Sequence, residues 1–283
     1  MGSRTDGAVP RSRARAGTAG ERVRARAAGA RMRLLAVGLV ALLGACRAAP
    51  ARPPAELTVS AAADLMQVAP ELGRAYEQAT GVRVRWNFGA TGQLARQITE
   101  GAPVDVFMSA DLEHVEDLAN AGLMMRGTRA IYAVGKLVVW TPPGIAPPET
   151  FADLAALRFR RIAFANPRIA PYGHAAEEAL RMSGLWNIVK ARAVIGENVH
   201  QALLYARSGG ADAALVSASL VQHTDGQTLV VPEELYPRLY QVVQVVRDTR
   251  AEPAARTFAA WIVSPEALAI LTRYGFDPPP SGD

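Results

Sequence analysis

From Leu57 onward the chain alternates short apolar runs with longer amphipathic ones. Leu57–Ser60 reads as a strand, and a helix is predicted from about Ala63 to Thr80, stopped by Gly81 at the C′ position. Val82–Asn87 alternates with period two and predicts a strand. A helix follows over about Thr91–Glu100, with Leu94 and Ile98 on one face. Asp105–Ser109 is a short buried strand, and Asp111 is placed to cap a helix running to Ala121. This βαβαβα rhythm argues for a largely parallel sheet with helices on both faces.

Ile131–Ala133 and Lys136–Thr141 predict strands separated by Gly135. After the proline-rich turn 142–148 the rhythm restarts. Strand Arg161–Phe164 leads to a helix at Tyr172–Ser183, strand Ala193–Ile195 to a helix at Asn198–Arg207, and strand Ala213–Val216 to a short helix near Ser219. Leu239–Val246 is a long strand, and helices at Ala254–Ile262 and Pro265–Tyr274 close the chain. The last two helices have no α/β unit of their own. The economical topology returns the chain to the first unit after about Tyr240. Two lobes then follow, 56–135 plus 241–277 and 136–240, joined by crossovers near 134–136 and 236–241. Ligands of such sheets sit beyond strand C-termini, at helix N-termini facing the cleft.

Length and composition fit this picture: 283 residues, half of them hydrophobic and a fifth charged, suffice for one large or two medium domains. The net charge of +5 misleads. Nine of the 31 basic and two of the 26 acidic residues fall in the first 46, so the remainder carries 22 basic and 24 acidic residues, a net of −2. The folded part has no basic block, so its charge gives no case for DNA, RNA or an anionic membrane, and aromatics of only 6% weaken a stacking-based nucleic-acid binder.

The leader is a separate matter. Residues 1–31 are Arg, Ala and Gly with almost no large apolar side chain, a composition that does not fold. Met32-Arg33 then precedes twelve mostly apolar residues, Leu34–Ala45, too few to span a bilayer but suited to a signal-peptide core, so Met32 is the expected true start. The run ends in Leu43-Gly44-Ala45-Cys46, which resembles a bacterial lipobox. Cys46 is therefore the expected lipidation site of an exported protein, and 47–55, rich in proline, the tether. The plainer alternative is an incidental cysteine in a signal peptide cleaved near Ala51.

Little in the folded part suggests catalysis. There is no G-x-S-x-G, no P-loop and no G-x-G-x-x-G. His114, His174, His200 and His223 are scattered without metal-ligand spacing, and His174 with Glu177 and Glu178 reads as a solvated helix face. What recurs instead is small residues where strands meet helices: Ser60-Ala61-Ala62-Ala63-Asp64, Phe88-Gly89-Ala90-Thr91-Gly92, Ala170-Pro171-Tyr172-Gly173 and Gly196-Glu197-Asn198-Val199. A helix start carries unpaired N–H groups and about half a positive charge. Several such starts around one cleft make an anion site without Lys or Arg. Each junction alone is an ordinary packing turn.

Together they carry a resemblance. Ser60-Ala61-Ala62-Ala63-Asp64-Leu65, Gly89-Ala90-Thr91-Gly92-Gln93-Leu94-Ala95-Arg96-Gln97-Ile98 and Gly101-Ala102-Pro103-Val104-Asp105-Val106-Phe107-Met108-Ser109-Ala110-Asp111 resemble the molybdate-binding proteins of ABC transporters. Ala165–Gly173, Gly196–Val199, Ser264-Pro265-Glu266 and Arg273–Phe276 are similar too, so the resemblance covers about 56–277. It implies a two-lobed periplasmic-binding-protein fold with two hinge crossovers (type II), each lobe a mixed or parallel sheet flanked by helices. It implies an exported, monomeric receptor and no enzyme, with no cofactor. Molybdate or tungstate is held by hydrogen bonds alone and passed to a permease and its ATPase, and the membrane is met only through the lipid anchor.

The implied ligand contacts are Ala63 and Asp64 from the first junction, Thr91 from the second, Tyr172 from the third and Val199 from the fourth. Thr91 offers a hydroxyl and an amide, Tyr172 a phenol and an amide, Ala63 and Val199 an amide each. Asp64 stands where relatives often carry Ser or Asn. A carboxylate about 4 Å from a dianion would cost several kcal/mol, so Asp64 is expected to bind through its amide with its side chain capping its own helix. Alternatively, it accepts a proton from the ligand, which would favour an anion such as hydrogen phosphate. Ser217 replaces a tyrosine that touches ligand in some relatives, and is expected to make little contact. A receptor for phosphate or sulfate is the nearest alternative; an enzyme on the same fold, with Asp64 and Tyr172 as its only cleft candidates, and a purely structural envelope lipoprotein are more distant ones.

Overall fold

A computed structural model of the chain describes residues 56–280. The leader, Cys46 and the tether lie outside the described residues. In chain order the elements are β1 (Glu56–Ala62), α1 (Ala69–Thr80), β2 (Arg83–Gly89), α2 (Thr91–Thr99), β3 (Val106–Ser109), α3 (Glu113–Asn120), β4 (Ala130–Gly135), β5 (Leu137–Thr141), β6 (Ile162–Ala165), α4 (Pro171–Met182), α5 (Trp186–Lys190), β7 (Ala193–Gly196), α6 (Val199–Arg207), β8 (Ala213–Ser217), α7 (Ala218–Val221), β9 (Gln227–Val230), β10 (Leu239–Val245), α8 (Glu252–Trp261) and α9 (Pro265–Arg273).

The strands form two five-stranded sheets, ordered β2-β1-β3-β10-β4 and β7-β6-β8-β5-β9. Both follow one plan. Three parallel strands (β2, β1, β3 or β7, β6, β8) are extended by a strand running the other way, β10 in the first sheet and β5 in the second. Each of these antiparallel strands adjoins a chain crossover, so the sheets are mixed. The first sheet also takes in Leu239 and Tyr240, paired with Gly135 and Val134.

Period-two alternation fixes both faces of the first sheet. Val106 and Met108 of β3, with Val243 and Val245 of β10, face a core that holds Tyr76 of α1, Phe258 of α8 and Ile270 of α9. Phe107 and Val242 face the opposite core with Leu94, Ile98 and Leu118. The two closing helices therefore pack on the first sheet. Tyr76 meets Phe258 edge-on at 5.0 Å and donates its hydroxyl to the Ala254 carbonyl at 3.0 Å, which locks α8 against α1. The second sheet's core includes Trp140, Phe164 and Leu215, and it reaches across to Ala62, Ala63, Ala90 and Ala110 at the ends of first-sheet strands. The two halves are thus in contact where strand ends meet.

Three expectations need correction. The single helix over Ala63–Thr80 is a three-residue 3₁₀ turn, Ala63–Leu65, followed by a separate helix from Ala69. The cause is Pro70, which lacks an N–H and fits the first turn of a helix but not its interior. Gly81 does end α1, in the left-handed conformation with φ 72°. Strand β9 and the short helix α5 were not expected, because Gln227–Val230 is mostly exposed and Trp186–Lys190 is barely one turn long. Finally, Gly135 belongs to β4 rather than separating two strands.

Candidate functional site

The four small-residue junctions converge. Ala63, Asp64, Thr91, Tyr172 and Val199 line one hollow together with Ala62, Ala90, Ala110, Ala170 and Asn198. The cavity measures about 10 Å³, room for roughly one water molecule. No lining residue is Lys, Arg or His.

Three helix starts line it. Thr91 is the first residue of α2, Tyr172 the second of α4 and Val199 the first of α6. Their backbone N–H groups meet no backbone acceptor among the described residues, as the first turn of a helix requires. Other first-turn donors are already taken. Asn198 Oδ1 accepts from Gln201 N–H at 3.0 Å, and Gly92 N–H donates across the cleft to the Ile169 carbonyl at 2.9 Å. Thr91 Oγ1 accepts from Ala110 N–H at 3.3 Å, which leaves its own hydrogen free to donate. Thr91 is therefore not a cap of α2; the N-cap is Ala90, which has no side-chain cap bond.

Tyr172 is fully buried, and its phenol turns from the hollow's mouth toward the crossovers. A Cβ built on Gly135 would fall 2.0 Å from the Tyr172 hydroxyl and 2.9 Å from Gln241 Nε2, so only glycine lets β4 pass this close. The Tyr172 and Ser217 hydroxyls are 3.0 Å apart, Ser217 and Ser219 are 2.6 Å apart, and Ser219 Oγ donates to the Asp64 carbonyl at 2.7 Å. Tyr172 lines the hollow, while its phenol oxygen accepts from Ser217 Oγ. Ser217 does not line the hollow and acts through Tyr172.

Asp64 departs furthest from expectation. Its side chain caps nothing: the 3₁₀ turn has no side-chain cap bond, and neither carboxyl oxygen meets a partner at hydrogen-bonding distance and angle. The carboxyl is fully buried, and desolvation pushes its pKa up to about 7. The Tyr172 hydroxyl, the N–H groups of Asp64 and Leu65 and the Gln241 amide oppose that shift without cancelling it. A three-residue turn is too short for its own carboxyl to cap, so the side chain lies instead among Tyr172, Gln241 and Tyr132 between the crossovers. Tyr132 in turn donates to Gln241 Oε1 at 3.4 Å.

Beside the hollow the cleft widens into a cavity of about 520 Å³, lined in part by His114, Arg168, His174 and Arg238. The cations of the cleft thus stand next to the hollow and not in it. Asp111 Oδ1 accepts from His114 N–H at 3.1 Å as the expected helix cap, and Asp111 Oδ2 lies 2.8 Å from His114 Nδ1, which raises the His114 pKa. Glu177 pairs with Arg181, away from His174. Among the described residues no group of three His, Cys, Asp or Glu could hold a metal ion.

Sequence reasoning missed Gly135, Tyr132, Ser219 and Gln241. One signal was available: Gln241 is one of two amides, with Gln244, within the apolar run Leu239–Val246, and a polar side chain on a central strand needs a buried partner.

Comparison with known proteins bears on this arrangement. Residues 57–277 match the family model for the bacterial extracellular solute-binding protein. The molybdate-binding protein ModA of Azotobacter vinelandii is 34% identical over 243 residues, 84% of this chain and 96% of that protein. The chain belongs to the ModA family of molybdate-binding proteins. ModA of Rhodobacter capsulatus is 32% identical over 225 residues, 78% of this chain and 88% of that one. The solved periplasmic molybdate-binding protein of A. vinelandii superposes with a TM-score of 0.76 at 33% identity, covering 79% of this chain and 99% of that chain. The ModA-type fold explains why both sheets share one plan, and the family is one of solute-binding receptors rather than enzymes.

Proposed function

We propose that this chain captures molybdate, or tungstate, outside the cytoplasmic membrane and delivers it to the permease and ATPase of an ABC transporter. One observation carries the reading: three helix starts, whose first N–H groups meet no backbone acceptor among the described residues, line one hollow that has no cationic side chain. A dianion there exchanges its water shell for fixed dipoles, each charge-assisted bond contributing about 1.5–3 kcal/mol. The ligand contacts are Ala63 and the amide of Asp64 from the 3₁₀ turn, the amide and hydroxyl of Thr91, and the amides of Tyr172 and Val199. About 10 Å³ is less than a four-oxygen anion needs, so the lobes part to admit it and close again around a hollow widened to its size. Ala63, Asp64 and Thr91 lie on the first lobe, Tyr172 and Val199 on the second, and contacts from both favour closure only when the anion is present. Donor chemistry is the same for all tetrahedral oxyanions; selectivity lies in the size of the closed hollow.

Lipidation at Cys46, following Leu43-Gly44-Ala45, would tether a monomeric receptor to the outer face of the membrane through 47–55. Calorimetric titration with molybdate, tungstate, sulfate and phosphate tests the ligand. Molybdate and tungstate are expected to bind one to one, at least a hundredfold more tightly than the other two. A phosphate or sulfate signal without one from molybdate would replace this reading by its nearest alternative.

A further inference from the structure

The oxygens around Asp64 form a chain of contacts across the seam. Ser219 Oγ donates to the Asp64 carbonyl at 2.7 Å, Ser217 and Ser219 share a hydrogen at 2.6 Å, and Ser217 Oγ donates to the Tyr172 oxygen at 3.0 Å. The Asp64 carboxyl lies beside Tyr172, is fully buried, and neither of its oxygens meets a partner at hydrogen-bonding distance and angle. Ionised, it would be a buried charge with no counter-group, the arrangement that burial penalises most. Tyr172, Ser217 and Ser219 belong to helices and a strand of the second lobe, Asp64 to the first. The chain of contacts therefore exists only when the lobes are closed.

We propose that Asp64 takes up a proton as the lobes close, and that this neutral carboxyl positions Tyr172 at the seam, so that anion capture is coupled to proton uptake. The inference rests on the molybdate reading above. The pKa of about 7 in the closed form points the same way. The titratable groups facing Asp64 are Tyr132 on β4 and Tyr172 on α4, both held well above the usual phenol range by burial. At the crossover Lys136 is paired with Asp277 at 2.6 Å. Tyr236 donates nothing to Asp64; its oxygen accepts from Leu137 N–H at 3.2 Å. On α6, packed against the 3₁₀ turn, His200 is lowered by burial and by Arg207. None of these forms an ion pair with Asp64.

Solvated in the open form, Asp64 titrates near the ordinary value of about 3.9. Closure therefore binds close to one proton between roughly pH 4 and 7, and that contribution fades above 7. The test is calorimetric titration of molybdate into the wild type and Asp64→Asn at pH 5.5, 7 and 8.5, each in two buffers of different ionisation heat. For the wild type, the Kd is expected to rise about thirty-fold from pH 5.5 to 8.5, most of it below pH 7. Uptake of nearly one proton is expected near pH 6. D64N needs no proton: its profile is expected to be flat, with tighter binding than the wild type at pH 8.5. A flat wild-type profile without buffer-dependent heat overturns the proposal, as does the same slope in D64N, which would assign the effect to His114 or another cleft group. If D64N fails to fold, the wild-type buffer comparison decides alone. If molybdate binds at no pH, the ligand reading fails separately. Small-angle scattering of the ligand-free wild type then reads the proton link: compaction from pH 8 to 5 supports it, and an unchanged radius overturns it.

Discussion

Val199→Pro is expected to weaken molybdate binding about ten- to a hundredfold in a protein that still folds. Val199 is the first residue of α6, the one helical position where proline is favoured, because the N–H it lacks has no partner within the helix. The preceding Asn198 has φ −142° and ψ 174°, the extended conformation that proline demands of its predecessor. The substitution thus deletes one donor from the hollow and disturbs little else. A hydrogen bond to a charged group is worth about 1.5–3 kcal/mol, and each 1.4 kcal/mol is about tenfold in Kd. Val199→Ala keeps the N–H and is the control; its Kd is expected to stay within a few-fold of wild type. Calorimetry on both variants, with a thermal melt to verify folding, makes the comparison. Equal affinities for the two would show that the amide of residue 199 does not hold the anion.

Gly135→Ala is expected to raise the Kd by about five- to a hundredfold by a different route, the closing of the lobes. The glycine does not have a positive φ, so alanine strains no backbone. Its methyl would instead meet the Tyr172 hydroxyl at 2.0 Å and Gln241 at 2.9 Å. Tyr172 is 2% exposed and held at Ser217, so its ring has nowhere to swing. Overpacking of this kind costs about 1–3 kcal/mol. Here the cost falls on the closed form alone, because Gly135 and Tyr172 stand on opposite lobes. Scattering at saturating molybdate is expected to show a larger radius for G135A than for wild type. Tyr172→Phe, combined with G135A, removes the colliding oxygen and is expected to restore part of the affinity. Wild-type affinity in G135A would mean that Tyr172 does not sit at the seam when ligand is bound.

Much of this was legible in the chain because two local signals were strong. Period-two runs and helix-start chemistry place β1, β3, β6, β8 and β10, and the junctions that carry Thr91, Tyr172 and Val199, close to where they are found. The split at Pro70 was also written in the sequence, since proline in the second position of a helix marks its beginning. What local pattern does not carry is side-chain direction over long separations. Ser219 reaches Asp64 across 155 residues, and Tyr132 reaches Gln241 across 109. The carboxyl of Asp64, expected to cap its own helix, therefore lies at the seam between lobes beside the phenol of Tyr172. The same long-range packing, rather than any ion pair, is what raises the Asp64 pKa.

The central claim is that helix-start amides, and not the cleft's cations, hold the anion. A crystal structure with tungstate tests it most directly, because the heavy atom marks its own position by anomalous scattering. The tungsten peak is expected in the hollow, with anion oxygens about 2.7–3.2 Å from the backbone nitrogens of Thr91, Tyr172 and Val199. A peak in the neighbouring cavity beside Arg168 and Arg238 would contradict the account.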